Sequence, residues 1–268
     1  SKPLGEGGAT DSDEDIAWAL LHAARRWGGS GAIGETYANA AKRQIEAVWH
    51  HEVDHSRGGL LMPGDKWTMP GLFNPSYFAP SQYRVFGKVT GNVEGWGRVV
   101  NTGYRVLELC QNLSYGNGAN GLVPAWCLDD GTPQVPFPYG PTHHQYDSAR
   151  TPYRIAQDWL WHREPRALDY CRKSSAFFAS LSESEFVDGF ELDGTLRPDA
   201  DSKHPTESAV FVGCAAVGAS CDPAFAEVAA RWTARVATGT LTTRSRYYNL
   251  SWTALTLAML SGDMAEAA

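Results

Sequence analysis

Ala9-Thr10-Asp11-Ser12-Asp13-Glu14-Asp15-Ile16-Ala17-Trp18-Ala19-Leu20-Leu21-His22-Ala23-Ala24-Arg25-Arg26-Trp27 is the stretch that decides the fold class. Ile16, Leu20, Ala23, Ala24 and Trp27 recur at helical spacing and predict one apolar face. Tyr37, Ala41, Ile45, Val48 and Trp49 predict the next. Working outward, the same period predicts helices near 78–88, 92–113, 148–161, 165–181, 205–218, 223–237 and 246–260, about nine in all. Strand signals are weak, the segment 186–197 reading best as a small hairpin. The expected class is all-α, with helices pairing along the chain as in an α/α toroid, in one domain over residues 1–268. Gly- and Pro-rich segments at 56–76, 114–146 and 182–204 are too long for tight helical joints, so they are expected to build a functional cleft.

Composition narrows the chemistry. A net charge of −7 with no basic stripe argues against nucleic acid as a partner. No apolar run approaches the roughly 18 residues of a membrane span, and nothing at Ser1 reads as a signal peptide. Aromatics make up 12% of the residues, with 10 Trp, which suits either a core or stacking on sugar rings. The five cysteines, at 110, 127, 171, 214 and 221, leave at least one unpaired. Cys110 with Cys127 and Cys214 with Cys221 stand at loop-closing separations, and small buried thiols are the alternative. None forms a C-x-x-C pair, so a structural zinc site is not expected. His51-Glu52-Val53-Asp54-His55 satisfies the bare H-E-x-x-H string. It falls at a predicted helix end running into Gly58-Gly59, whereas a zinc protease needs it mid-helix. No metal and no cofactor are expected. Asn112-Leu113-Ser114 and Asn249-Leu250-Ser251 are bare glycosylation sequons.

The carboxylates that open the first helix have two readings. Asp11 can cap it while Asp13, Glu14 and Asp15 complement the macrodipole. Alternatively, one of them projects into a sugar cleft and stabilises an oxocarbenium-like transition state, and spacing does not select which. A second carboxylate, Asp147 in Tyr146-Asp147-Ser148-Ala149-Arg150-Thr151-Pro152-Tyr153-Arg154-Ile155, is either a helix cap bonded to Arg150 or a base that deprotonates water. Trp67, in Pro63-Gly64-Asp65-Lys66-Trp67, lies on a Pro/Gly-rich loop and offers a face to a pyranose, or packs into the core.

These segments resemble glycoside hydrolase family 8. Residues 9–27 look like its A-S/T-D-A/G-D-x-x-I-A signature, with Ser12 in place of a smaller residue. Asn74-Pro75-Ser76-Tyr77-Phe78-Ala79-Pro80 resembles its cleft loop, and 146–155 its Y-D-A-x-R-x-P-W-R-I segment. Tyr247-Tyr248 and Met259-Leu260-Ser261-Gly262 resemble its last helix. The resemblance implies an (α/α)6 toroid and an inverting endo-β-1,4-glycanase acting on cellulose or β-glucan. Xylanase, chitosanase and a sugar-binding pseudoenzyme are the alternatives; a metal-dependent terpene cyclase using the 11–15 cluster is a poorer fit to a polar, loop-rich chain. It places the general base on Asp147, sugar positioning on Asp11 and water assistance on Tyr77. Substrate contacts are expected from Trp67, Tyr146, Arg150 and Tyr247, with His143-His144 shaping the cleft.

The family's general acid is a Glu in an S-E-G-type motif well upstream of the signature. Only ten residues precede Asp11 here, and Glu6 adjoins Asp11 instead of sitting one helix pair away. The expectation is a toroid incomplete at its N-terminus. The missing helices would lie on a cleaved or disordered segment or be replaced by a partner chain, because an open wall would expose apolar surface at roughly 25 cal/mol per Å2. A β-linked polysaccharide is the expected partner, and a secreted or periplasmic location is implied.

Overall fold

A computed structural model describes residues 7–32, 34–67, 69–136, 142–197, 208–241 and 246–266. Four helix hairpins dominate it: α1 (Thr10–Trp27) with α2 (Tyr37–His51), α3 (Pro80–Thr90) with α4 (Val93–Cys110), α6 (Thr151–His162) with α7 (Pro165–Ser180), and α8 (Ala209–Ala219) with α9 (Ala226–Ala237). A short α5 (Tyr146–Ala149) runs into α6, and α10 (Arg246–Leu260) packs on α8 and α9. Among the described residues this agrees closely with the helices expected from periodicity.

Local chemistry explains the hairpin joints. Gly91 ends α3 in the left-handed region at φ 73°, and the Asn92 side chain then accepts from the Gly95 amide to start α4. Arg163 ends α6 at φ 59°, Glu164 accepts from the Arg166 amide, and Pro165 takes the first position of α7. Each joint is thus two residues long, stopping one helix and capping the next.

The segments between hairpins are long and are stitched to one another. The first carries a tight strand pair, β1 (Val53–Asp54) with β2 (Leu60–Leu61). It also supplies β3 (Leu72–Phe73), which pairs antiparallel with β4 (Cys127–Leu128) of the second segment. His144 of the second bridges Phe190 of the third, and Phe190 bridges Leu196 to form the small hairpin expected at 186–197.

The core runs along the arc α2–α3–α6–α8–α10, in which each helix packs on the next. Every residue of α8 from Ala209 to Ala219 is buried, as befits a helix enclosed by neighbours on all sides. In α4, Gly103 faces the Phe78 ring so closely that a Cβ would lie 2.1 Å from a ring carbon. This contact holds the 74–79 loop against α4.

The apolar face expected for α1 is misplaced. Ile16 and Trp27 are exposed, Trp27 to 73%, and of the expected face only Ala23 is buried, while Thr10, Glu14, Ala17, Trp18 and Leu21 form the main buried stripe. Apolar counting discards Glu14, although it sits in register with Ala17, Trp18 and Leu21 and is fully buried. Burial pushes its carboxyl well above the usual range, which favours the neutral acid.

Candidate active site

The N-terminal ends of α1, α5, α6 and α10, together with the loop leading into α3, meet around one guanidinium. Arg150, 9% exposed, joins α5 to α6. It donates from one terminal nitrogen to Asp11 Oδ2 at 2.9 Å and from the other to Asp147 Oδ1 at 3.4 Å. Its Cζ stands 5.4 Å from the centre of the Tyr77 ring, a cation–π contact. Burial works against the charge, but Tyr248, Asp11 and Asp147 outweigh it and hold the cation firmly protonated. Two carboxylates 136 residues apart are thereby brought to one cation.

Neither carboxylate is a helix cap. The cap of α1 is Ala9, whose side chain makes no capping bond, and Asp11 lies in the first turn with Oδ1 accepting from the Ser12 amide at 3.0 Å. The cap of α5 is Gln145, in a reciprocal capping box with Ser148. Asp147 follows in the first turn, where the helix N-terminus favours an anion. Its Oδ2 accepts from Gln145 Nε2 at 3.0 Å, and its side chain is 38% exposed. The carboxylate is therefore oriented on both oxygens yet open to a small molecule such as water. Tyr77 keeps its phenol proton: burial first, then Asp11, pushes the group above the usual phenol range. It can donate a hydrogen bond but is a poor base.

The other acids of the cluster divide the structural work. Asp15 receives both terminal nitrogens of Arg154, at 2.5 and 2.8 Å, and Gln82 Nε2 at 3.0 Å. Burial would raise its carboxyl, yet Arg154 draws it below the ordinary range. Asp13 accepts from Gln44 at 2.9 Å and adjoins Glu52, whose carboxyl is pushed up to about 8 by burial and by Asp13. Glu52 follows His51 at the end of α2, while His55 lies in a separate turn with its Nε2 2.9 Å from the Trp49 carbonyl. The H-E-x-x-H string is thus split between two elements and does not present two imidazoles on one helix face. Glu6 lies outside the described residues.

An aromatic wall adjoins the carboxylates. Trp67 stacks on Trp126 with centroids 5.2 Å apart and planes 27° apart, and Tyr77 meets Trp126 edge-on at 5.9 Å. Trp67 and Tyr77 are half-buried while Trp126 is buried behind them, so the wall offers partly open rings. Sequence reasoning missed Trp126. Tyr146 donates to Asp188 Oδ2 at 2.9 Å, and its ring meets Tyr248 at 6.0 Å. Tyr247 does not join the site: it is 87% exposed, and Tyr248, one residue on, turns inward toward Arg150. His144 is fully buried, with Nδ1 3.0 Å from the Val123 carbonyl and its basicity lowered to about 4 by burial. It braces the loops instead of lining a cleft, while His143 is half-buried beside it.

Helix hairpins whose inner N-termini gather paired carboxylates beside a wall of indoles have the parts of a helical glycoside hydrolase. The profile of Glycosyl hydrolases family 8 matches residues 3–261, and the chain belongs to that family. It is 39% identical over 191 residues to endoglucanase A of Acetivibrio thermocellus, a match covering 71% of this chain and 38% of that protein. With endoglucanase 2 of Ruminiclostridium josui it shares 37% identity, over 80% of this chain and 42% of that protein. The chain therefore spans about two fifths of these relatives' length. Among solved structures, the β-1,3-1,4-glucanase from Paenibacillus sp. X4 superposes with a TM-score of 0.86 at 26% identity, covering 99% of this chain and 70% of that one. The described hairpins correspond to part of an (α/α)6 toroid. Among the described residues no helix is long and apolar enough to cross a membrane.

Proposed function

We propose that this chain forms the water-activating part of an inverting endo-β-1,4-glycanase that acts on cellulose or a related β-glucan. The observation that carries the reading is the Arg150 bridge, which holds Asp147 and Asp11 on one guanidinium beside Tyr77. Asp147 accepts the proton of a water that attacks the anomeric carbon on the face opposite the leaving group. Asp11 hydrogen-bonds the sugar and opposes the positive charge that develops on the ring. The protonated Tyr77 hydroxyl orients the water, and Trp67, backed by Trp126, stacks on a sugar. The leaving-group side needs a protonated carboxyl, which the family pattern supplies upstream of Asp11. Endoglucanase relatives at 37–39% identity support a β-glucan as the substrate.

Asp147→Asn in the complete protein is expected to abolish hydrolysis of carboxymethylcellulose and mixed-linkage glucan while leaving the melting temperature within a few degrees. Retained hydrolysis would remove Asp147 from the role of base. Proton NMR of the first product should show the anomer opposite to that of the cleaved bond, and the same anomer would exclude inversion.

A further inference from the structure

Five cysteines are buried thiols in the structure, and of the two pairs their spacing suggests, only Cys110 with Cys127 is in contact. Cys214 and Cys221, seven residues apart, do not pair; the Cys221 thiol faces the Ala156 and Val217 carbonyls and lies beside Cys171 of α7. Cys110 and Cys127 are in direct contact, Sγ to Sγ at 3.2 Å, and neither has any exposed surface. Cys110 is the last residue of α4, and Cys127 opens β4, where it pairs with Phe73. The ends of the segment between them are already pinned: Asn117 Nδ2 donates to the carbonyls of both Cys110 and Leu122 at 2.7 Å, and Asn117 Oδ1 accepts from the Asn112 amide at 2.9 Å. A covalent bond therefore needs the two sulfurs to approach by only about 1 Å from van der Waals contact.

We propose that Cys110 and Cys127 are a disulfide-forming pair, which ties the segment 111–126 to the end of α4 when the protein folds in an oxidising compartment. The co-reactant is a disulfide of the glutathione type. One cysteine thiolate attacks it and releases one glutathione thiol; the second thiolate attacks the resulting mixed disulfide and releases the other. The two cysteine protons end on the released glutathione sulfurs, the two cysteine sulfurs are oxidised, and the glutathione disulfide is reduced to two thiols. Because both sulfurs are sealed in the folded chain, the exchange takes place before the segment closes on α4. In a reducing compartment the same contact persists as two packed thiols.

The bond has a local consequence. Trp126 immediately precedes Cys127 and is the buried ring on which Trp67 stacks. Closure of this loop removes freedom from the unfolded chain and anchors the aromatic wall by one covalent tie to the helical frame.

The test requires no turnover and so stands apart from the assignment of Asp147. The complete protein is unfolded, refolded in mixed reduced and oxidised glutathione, alkylated while denatured, and digested without reduction. A peptide pair joining Cys110 to Cys127, about 2 Da lighter than the sum of its free thiols, is the expected product, lost in Cys110→Ala and after phosphine treatment. Alkylation of both Cys110 and Cys127 in the unreduced sample, or a bond from either to another cysteine, would overturn the proposal. In Cys214→Ala, whose residue has no part in it, the linked peptide should persist undiminished.

Discussion

Two aspartates four residues apart on α1 should fail in opposite ways when altered. Arg154 is 3% exposed, and both of its terminal nitrogens bond to Asp15, while its Nε has no hydrogen-bond partner. Asp15→Ala leaves that guanidinium buried with its two strongest bonds gone. Breaking a fully buried pair costs about 3–5 kcal/mol. The Asp15 side chain is 49% exposed, so water recovers part of this, and about 2–4 kcal/mol is expected. At roughly 2–4 °C per kcal/mol for a chain of this size, the melting temperature should fall by about 4–16 °C. Asp11→Asn is different. Arg150 keeps Asp147 and the Tyr77 ring, and the amide oxygen still accepts, so destabilisation of about 1 kcal/mol is expected. Hydrolysis of glucan should nevertheless fall by roughly 100- to 1,000-fold, the scale for removing one preorganised stabilising group. The assays are urea denaturation and reducing-sugar release on the same preparations. Because Arg154 draws the Asp15 carboxyl down, its contribution is complete above the unfolded value near 4 and is lost as pH falls through the folded value. Wild type and Asp15→Ala should therefore converge in strong acid. The division of labour would be refuted if Asp11→Asn melted as early as Asp15→Ala, or if Asp15→Ala abolished hydrolysis at an unchanged melting temperature.

Further outcomes follow from the same geometry. Glu52 carries a raised carboxyl pKa, so its unfavourable ionisation grows as pH rises from about 4.5 to 8; Glu52→Gln should melt higher than wild type at pH 8 and equally at pH 4, with an equal offset at both values counting against the Asp13–Glu52 pairing. Gly103→Ala drives a methyl group into Phe78 and should lose about 1–3 kcal/mol in denaturant titration together with activity, because Tyr77 adjoins the displaced ring. Trp67→Ala should raise KM for cello-oligosaccharides about tenfold, equivalent to about 1.4 kcal/mol of stacking, with kcat changed less; an unaltered KM would remove the indole from the substrate path.

The frame was readable from periodicity because helical spacing survives wherever an element buries one side only. Periodicity found α1 but misplaced its buried face, whose stripe includes Glu14. Asp11, Asp147 and Arg150 stood out because charged residues sit at helix starts in recognisable segments, but their joining through one guanidinium is a tertiary fact. The choice between Tyr247 and Tyr248 was open to the same periodic argument. Tyr248, Trp252, Thr256 and Met259 fall on one stripe of α10, of which the last three are buried, whereas Tyr247 is rotated off it toward solvent. Trp126 left no comparable signal: it sits in Leu122-Val123-Pro124-Ala125-Trp126-Cys127, and only the pairing of β3 with β4 carries it to Trp67.

On the proposed function, the Arg150 bridge would also make hydrolysis a gauge of assembly. Asp11 and Arg150 are 139 residues apart, so their bond forms only when the first hairpin meets the third. Contacts of such sequence separation are slow to form, because the loop entropy must be overcome before any stabilising contact is gained. Helix content can return early during refolding, while the proposed catalysis would wait for this one long closure. Recovered hydrolysis would then count molecules in which the distant ends of the fold have found each other, and partly folded chains would stay silent however helical they are.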